Sequence, residues 1–240
     1  MTPLDKTNTL VIVPAYNEQD SINSVIEEIK ATGFPFVVID DGSSDETRKR
    51  AISAGARIIS LPFNAGVGGA LKCGFRYAIE KEYQAVIQCD ADGQHPSEQL
   101  ERFIDYANCN ADHLVIGSRF AGTSGSIDLS RHRRLLMRLL SKTVGCEEVS
   151  DTTSGFRLTR KPLLDEFARA FPNHYLGDTY EVLVVALKNK YSVGEIPTPM
   201  TNRRFGQSSA SNVYAISNVI RVVLARILRI QFQIRPSSQT

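Results

Sequence analysis

This chain has 240 residues with 42% hydrophobic content, which is enough for one sizeable domain, and no low-complexity linker divides it. Its formal net charge of +2 gives no indication of nucleic-acid binding, and we expect no nucleic-acid partner. Its four cysteines are widely spaced and form no C-x-x-C pair, which argues against a zinc or redox motif and fits a reducing, cytoplasmic compartment.

The first half of the chain alternates short apolar runs with helical patterns. Strands are predicted at residues 10–13, 36–39, 57–61, 85–89 and 113–117. Helices are predicted between them, at residues 21–30, 43–54, 70–81 and 96–107. This alternation predicts an α/β fold with a mainly parallel central sheet flanked by helices.

The second half of the chain is less regular. It combines predicted helices, a polar loop and one strand, in the order helix 131–144, loop 151–157, helix 178–188, strand 191–196 and helix 212–234. We therefore expect a domain over residues 1–210, followed by a C-terminal amphipathic basic helix and tail over residues 211–240.

Polar clusters follow four of the predicted strands. They occupy residues 14–18, 40–45, 64–69 and 90–95. In open parallel sheets, ligands bind beyond the carboxyl ends of the strands, so these clusters are expected to build one site.

The cluster after the fourth strand reads DADGQHP. Asp90 and Asp92, with the amide oxygen of Gln94, offer hard oxygen ligands to Mg²⁺ or Mn²⁺. Such an ion would neutralise the charge that develops on a departing nucleotide. The alternative is a turn that only caps the next helix through Ser97.

Two further clusters are less specific. Carboxylates at residues 40–45 suit the N–H groups of a nucleobase or the hydroxyls of a ribose, although Ser44 or Asp45 could equally cap a helix. The glycine-rich residues 64–69 lack the last glycine of the dinucleotide fingerprint G-x-G-x-x-G, because Leu71 occupies its place. A Rossmann dehydrogenase is therefore only weakly supported.

Six motifs occur in order between residues 10 and 209, namely VIVPAYNE, VIDDGSSDET, NAGVGGALKCGF, DADGQHP, DTTSGFR and RRFGQSS. With them the chain resembles glycosyltransferase family 2, and within it the polyprenyl- or dolichol-phosphate sugar synthases. The resemblance implies a GT-A fold, an inverting transfer and Mg²⁺ or Mn²⁺ held by Asp90, Asp92 and Gln94. It also implies a nucleotide-sugar site that comprises Pro14, Tyr16, Glu18, Asp41, Lys72 and Asp90.

The resemblance implies polyprenyl phosphate as the acceptor. A phosphate monoester is already ionised at neutral pH, so its transfer needs positioning cations and no general base. Look-alike synthases grip lipid phosphate with arginines at positions that correspond here to Arg119, Arg133, Arg134 and Arg203. By the same resemblance, Ser154 of the DTTSGFR loop is a further acceptor-side residue, whereas its Ser and Thr content alone would indicate only a turn. One departure is Gln207, where family members often carry Lys or Arg.

Three alternatives stay open. With a saccharide hydroxyl as acceptor, Asp178 or Glu181 would be the general base, although both could be ordinary charges at a helix N-terminus. Arg133 and Arg134 could equally be solvated surface charges. A non-catalytic sugar-nucleotide-binding or scaffold protein is disfavoured because Asp90 and Asp92 are both intact.

Residues 131–144 and 212–234 each place apolar side chains on one helical face and basic side chains on another. This pattern is typical of helices at an anionic membrane surface, and equally of helices packed on the core or on a second subunit. No run of about 18 apolar residues and no signal peptide is apparent. We expect a cytoplasmic protein that is peripheral at the inner face of the membrane, with oligomerisation left open.

Overall fold

The computed structural model describes residues 1–119, 121, 149–171 and 177–201, all of which belong to one compact unit, Met1–Gln207. The strands are β1 (Thr9–Ala15), β2 (Phe36–Asp40), β3 (Ile58–Ser60), β4 (Ala85–Gln88), β5 (Leu114–Ser118), β6 (Arg157–Arg160) and β7 (Val193–Pro197). The helices are α1 (Ile22–Thr32), α2 (Thr47–Ser53), α3 (Val67–Glu80), α4 (Leu100–Asn110), α5 (Leu163–Arg169) and α6 (Gly177–Lys188), with a 3-10 turn at Ser97–Gln99 before α4. The predicted helices at 131–144 and 212–234 lie outside the described residues, and the domain boundary at residue 210 stays a prediction.

The strands form one seven-stranded sheet in the order β3-β2-β1-β4-β6-β5-β7. Neighbouring strands run parallel except at β6, which is antiparallel to both β4 and β5. The prediction of a mainly parallel sheet flanked by helices is confirmed.

The sheet is covered by helices on both faces. Val11 and Val13 of β1 pack into a core with residues of α1 and α4. Ile12 points to the opposite face, where α3 approaches so closely that a Cβ on Gly74 would lie 2.7 Å from the Ile12 side chain. This alternation of buried residues explains why the strands read as continuous apolar runs. Among the described residues, no helix is both long and apolar enough to cross a membrane.

Strand β6 and helix α5 were not predicted. The sequence of β6, RLTR, reads as polar, yet Arg157 and Arg160 are both buried. Their guanidinium groups are accommodated because they donate to backbone carbonyls, for example from Arg160 to Ala107 O at 3.1 Å. A buried arginine that binds main chain cannot be distinguished from a surface arginine by sequence pattern.

Helix α2 begins at Thr47, four residues later than the prediction of residue 43. The carboxylate of Asp45 accepts hydrogen bonds from the backbone N–H and the hydroxyl of Thr47, at 2.9 and 2.5 Å. Residues 43–46 are instead part of a loop that is hydrogen-bonded to the loop after β1. Competition between side chain and backbone for these donors therefore delays the helix.

Candidate functional site

The four polar clusters lie at one edge of the sheet, as predicted. They follow β1, β2, β3 and β4, which are adjacent parallel strands in the order β3-β2-β1-β4. The carboxyl ends of these strands therefore point the same way, and the four clusters share this edge.

The loops after β1 and β2 are fastened together through Asn17. Its backbone N–H donates to Ser43 Oγ at 3.0 Å, and its side-chain oxygen accepts the backbone N–H of Ser44 at 2.9 Å. Next to it, Glu18 donates its backbone N–H to Thr47 Oγ1 at 2.8 Å. These bonds fix the loop that follows Tyr16, whose side chain is exposed.

Asp41 follows β2 and links the loop after that strand to the loop after β3. It is buried, and its Oδ1 accepts the backbone N–H of Ala65 at 2.8 Å. The next residue, Gly42, has φ +71°, and a Cβ there would lie 2.7 Å from the carbonyl carbon of Phe63, so only glycine fits this turn. Burial raises the pKa of the Asp41 carboxyl, against the effect of its hydrogen bonds from backbone N–H groups.

The other predicted nucleotide-site residues have these positions. Pro14 is half-buried near the end of β1, and Lys72 is half-buried in α3. The carboxylate of Glu18 accepts the hydroxyl hydrogen of Ser21 at 2.9 Å. Their contact with a nucleotide sugar stays a prediction.

Replacing Asp41 by Asn is expected to stabilise the ligand-free protein and to weaken nucleotide binding. The pKa of Asp41 is raised on folding, so its ionised form opposes folding at neutral pH, whereas an Asn oxygen can still accept the Ala65 N–H. Urea unfolding and a thermal-shift titration with UDP or GDP measure the two effects. The exposed Asp105→Asn is the matched control, and a lower unfolding midpoint in Asp41→Asn would contradict the argument.

The acidic motif after β4 is held by hydrogen bonds from its neighbours. Gln88 Nε2 donates to Asp90 Oδ1 at 3.0 Å, and the Asp90 backbone N–H donates to His95 Nδ1 at 2.9 Å. The His95 ring stacks on Phe156, with ring centroids 4.7 Å apart. Asp92 Oδ1 accepts the backbone N–H of Gln94 at 3.0 Å. The motif is therefore a fixed turn with its two carboxylates at the edge of the sheet.

The donor set of this turn fits Mg²⁺ or Mn²⁺. Asp90, Asp92 and Gln94 supply hard oxygen ligands, which these ions prefer. Within the described ranges, no group of three or more His, Cys, Asp or Glu side chains could hold a metal ion. Mg²⁺ is usually bound by one or two carboxylates together with substrate phosphates, so a site of this kind does not need such a group.

Two distant segments contact the acidic turn. A Cβ on Gly155, in the loop before β6, would lie 3.0 Å from Asp90 Oδ2, so this loop touches the carboxylate. After β7, Thr201 donates its hydroxyl to Gly93 O at 2.7 Å and its backbone N–H to Gln94 O at 3.1 Å. The candidate acceptor-side loop and the chain leading towards Arg203 therefore both meet the acidic turn.

Arg119 forms a bidentate salt bridge with Asp151. Its Nε and Nη2 donate to the two carboxylate oxygens at 2.8 and 3.0 Å, and Nη2 also donates to Thr153 Oγ1 at 2.9 Å. Burial by itself would raise the pKa of Asp151, but the hydrogen bonds and positive charge of Arg119 outweigh it and keep this pKa below its usual value. Arg119 thus orders the acceptor-side loop, and its predicted contact with phosphate stays a prediction.

Two residues that sequence reasoning missed complete this loop. Glu195 of β7 accepts the backbone N–H groups of Ser150 and Asp151, at 3.0 and 2.8 Å. Arg157 donates to the carbonyls of Ser154 and Thr179, at 2.6 and 2.7 Å, and also to Thr152 O. The one available signal was the isolated acid of Glu195 in an otherwise uncharged strand, VGEIP.

Some of the remaining predicted acceptor-side residues lie in the loop before β6 or in α6, and the others lie outside the described residues. Ser154 is buried, and its hydroxyl oxygen accepts the backbone N–H of Phe156 at 3.3 Å. Glu181 is half-buried in the first part of α6. Asp178 belongs to the same helix, but its side chain lies outside the described part of the structure, as do three predicted phosphate contacts: Arg133, Arg134 and Arg203.

Comparisons with known proteins give the family of the chain and confirm the predicted GT-A fold. The family model described as glycosyl transferase family 2 matches residues 10–167. Polyprenol monophosphomannose synthase of Mycolicibacterium smegmatis is 30% identical over 85% of this chain and 82% of its own length. Dolichyl-phosphate hexose transferase of Haloferax volcanii is 31% identical over 85% of this chain and 87% of its own. Among solved structures, glucosyl-3-phosphoglycerate synthase of Mycobacterium tuberculosis with Mn²⁺, UDP-glucose and phosphoglyceric acid has a TM-score of 0.69 at 22% identity, covering 92% of this chain and 79% of that one.

Proposed function

Because the chain belongs to glycosyltransferase family 2, we propose that it moves a sugar from a UDP- or GDP-sugar to polyprenyl phosphate, with inversion at the anomeric carbon. We place the reaction at the cytoplasmic face of a membrane, with this chain bound peripherally. The names of its relatives, a polyprenol monophosphomannose synthase and a dolichyl-phosphate hexose transferase, support the choice of acceptor.

One observation carries the proposal: the acidic turn and the acceptor-side loop share a surface. The backbone of Gly155 lies next to Asp90 Oδ2, and a Cβ added to this glycine would be 3.0 Å from that oxygen. A sugar whose diphosphate is held at Asp90 and Asp92 would therefore lie beside residues 151–157. This contact would bring donor and acceptor together, which is the main requirement of a direct displacement.

On the donor side, the residues bind and orient the nucleotide. Asp41 is buried between the loops after β2 and β3, and its carboxyl is suited to an N–H of the base or to a ribose hydroxyl. The bonded loops around Asn17 give it a rigid support. Mg²⁺ or Mn²⁺, when held by Asp90, Asp92 and Gln94, would supply neutralisation of the charge on the departing diphosphate.

On the acceptor side, the task is positioning. A phosphate acceptor is ionised at neutral pH and needs no proton removed. The buried pair of Arg119 and Asp151, with Glu195 behind it, fixes the backbone of the loop that the acceptor would contact. Such preorganisation reduces the entropic cost of aligning two substrates.

A second candidate is transfer to a saccharide hydroxyl, with Glu181 or Asp178 as general base. The observation in its favour is that Arg119 already donates to Asp151 and Thr153. Helix α6, which carries both acids, is also tied to the acceptor-side loop through Arg157 and Thr179 O. A base on this helix would therefore be held in a fixed position relative to the acceptor.

An acceptor-competition assay tests the proposal. The purified chain is incubated with Mn²⁺, a radiolabelled UDP- or GDP-sugar, and equal concentrations of polyprenyl phosphate in detergent and a soluble oligosaccharide. Label that enters the organic phase supports lipid phosphate, whereas label that stays with the oligosaccharide supports the second candidate. Failure to transfer to either acceptor, in protein that still binds the nucleotide, would instead favour a non-catalytic binding protein.

The variant Glu181→Gln separates the two candidates independently. If the acceptor is a phosphate, turnover is expected to stay within about twofold of wild type, because no base is needed. If the acceptor is a hydroxyl and Glu181 is the base, turnover is expected to fall about 10²- to 10⁴-fold. Initial rates at saturating donor make the comparison, with Glu80→Gln, at an exposed position at the end of α3, as the control.

A further inference from the structure

We propose that Gln88 is a positioning residue, which orients the Asp90 carboxylate for the cation and the donor diphosphate. This inference rests on the proposed function, because it assumes that Asp90 is a ligand in that site. Gln88 was not among the residues that the sequence suggested, and its position at the end of a buried strand gave it the pattern of an ordinary core residue.

The backbone of Gln88 is fixed on both sides. It is the last residue of β4, in register with Ile12 of β1 and with Arg157 of β6. Its side chain is 9% exposed, so it has little freedom to rearrange. From this position, Nε2 donates to Asp90 Oδ1 at 3.0 Å. A hydrogen bond from so rigid a donor restrains the direction of the carboxylate.

The other side of the Asp90 carboxylate is also restrained. A Cβ on Gly155 would lie 3.0 Å from Asp90 Oδ2 and 3.1 Å from Gln88 Nε2, so the loop backbone closes over both side chains. The Asp90 backbone N–H donates to His95 Nδ1 at 2.9 Å, which fixes the backbone at this residue. Oδ2, which lies 3.7 Å from His95 Nε2, takes no hydrogen bond from Gln88 and is the oxygen that we assign to the cation.

Residues that orient a ligand in this way affect metal binding strongly. Removal of such a partner commonly costs 10- to 100-fold in metal affinity or activity. A carboxylate that is already oriented loses less freedom on binding than one that can rotate. Gln88 therefore contributes to the affinity of the site without touching the metal or the substrate.

The test is the variant Gln88→Met, which keeps the length and most of the volume of the side chain and removes the donor. Mn²⁺ is titrated by electron paramagnetic resonance in the presence of UDP, or of GDP if wild type binds only GDP. The dissociation constant is expected to rise about 10- to 100-fold. Gln84→Met, the same change just before the opposite end of β4, is the matched control and should leave it unchanged.

A purely structural role for Gln88 predicts a different result, namely a lower melting temperature with Mn²⁺ affinity within about twofold of wild type, and this would overturn the inference. Should Gln88→Met fail to fold, the second variant is Gly155→Ala. Its added Cβ would lie 3.1 Å from Gln88 Nε2 and 3.0 Å from Asp90 Oδ2, so it should displace this pair and also weaken Mn²⁺ binding. Unchanged affinity in folded Gly155→Ala would count equally against the inference. If wild type itself binds no Mn²⁺ with either nucleotide, the proposed metal site fails rather than the role of Gln88.

Discussion

Replacing Asp92 by Asn is expected to lower the rate of sugar transfer by about 10²- to 10³-fold at saturating Mn²⁺, a loss typical of removing one group that stabilises developing charge. Asn keeps the side-chain oxygen that accepts the Gln94 N–H at 3.0 Å, so the turn itself should be preserved. What is lost is the negative charge that attracts the cation. Initial rates with labelled donor, measured over a range of Mn²⁺ concentrations, give the result.

The control for Asp92→Asn is Asp105→Asn, which makes the same change on an exposed face of α4. The control should transfer sugar at the wild-type rate. Circular dichroism and the melting temperature without ligands establish that both variants are folded. If Asp92→Asn turned over as fast as wild type at saturating Mn²⁺, the metal-assisted departure of the nucleotide would be wrong.

The parallel half of the fold was predictable because its signal is local. Each buried strand is a short apolar run, and each such run ends in a polar cluster. The rule that adjacent parallel strands present their carboxyl ends at one edge then predicts that Asp41 and Asp90 lie at the same edge of the sheet. Periodicity and topology were sufficient for this step.

The acceptor side was less predictable because its interactions join distant parts of the chain. Arg119 and Asp151 are 32 residues apart, and Glu195 reaches Asp151 from 44 residues away. These contacts depend on the register of β5 with β7, which no local pattern specifies. Sequence reasoning therefore read Arg119 only as a candidate for phosphate, whereas in the structure it also neutralises a buried carboxylate.

The same limit applies to Gln88 and Gly155. Both look unremarkable in sequence, one as a polar residue that ends a strand and the other as a glycine in a Ser- and Thr-rich loop. Their significance arises only because antiparallel β6 places the loop before it against the end of β4. The unpredicted strand β6 is thus the element that brings the loop at residues 151–157 against the acidic turn after β4.

Replacing Asp151 by Asn is expected to lower the free energy of unfolding by about 3 kcal/mol. Breaking one partner of a buried ion pair costs about 3–5 kcal/mol, and the lower figure applies because the Arg119 side chain remains 22% exposed. Urea unfolding at neutral pH measures the loss. A double-mutant cycle with Arg119→Gln should show that the second change adds much less than the first, because the two residues form one pair.

The effect of Asp151→Asn should also depend on pH. The pKa of Asp151 is lower in the folded protein than in the unfolded chain, so its stabilisation is complete well above the unfolded value of about 4 and is lost as the pH falls through the folded value. The difference in stability between wild type and Asp151→Asn is therefore expected to shrink in acid. A difference that stayed constant from pH 7 down to about pH 3 would contradict a charged, paired Asp151, and with it the account of how Arg119 orders the acceptor-side loop.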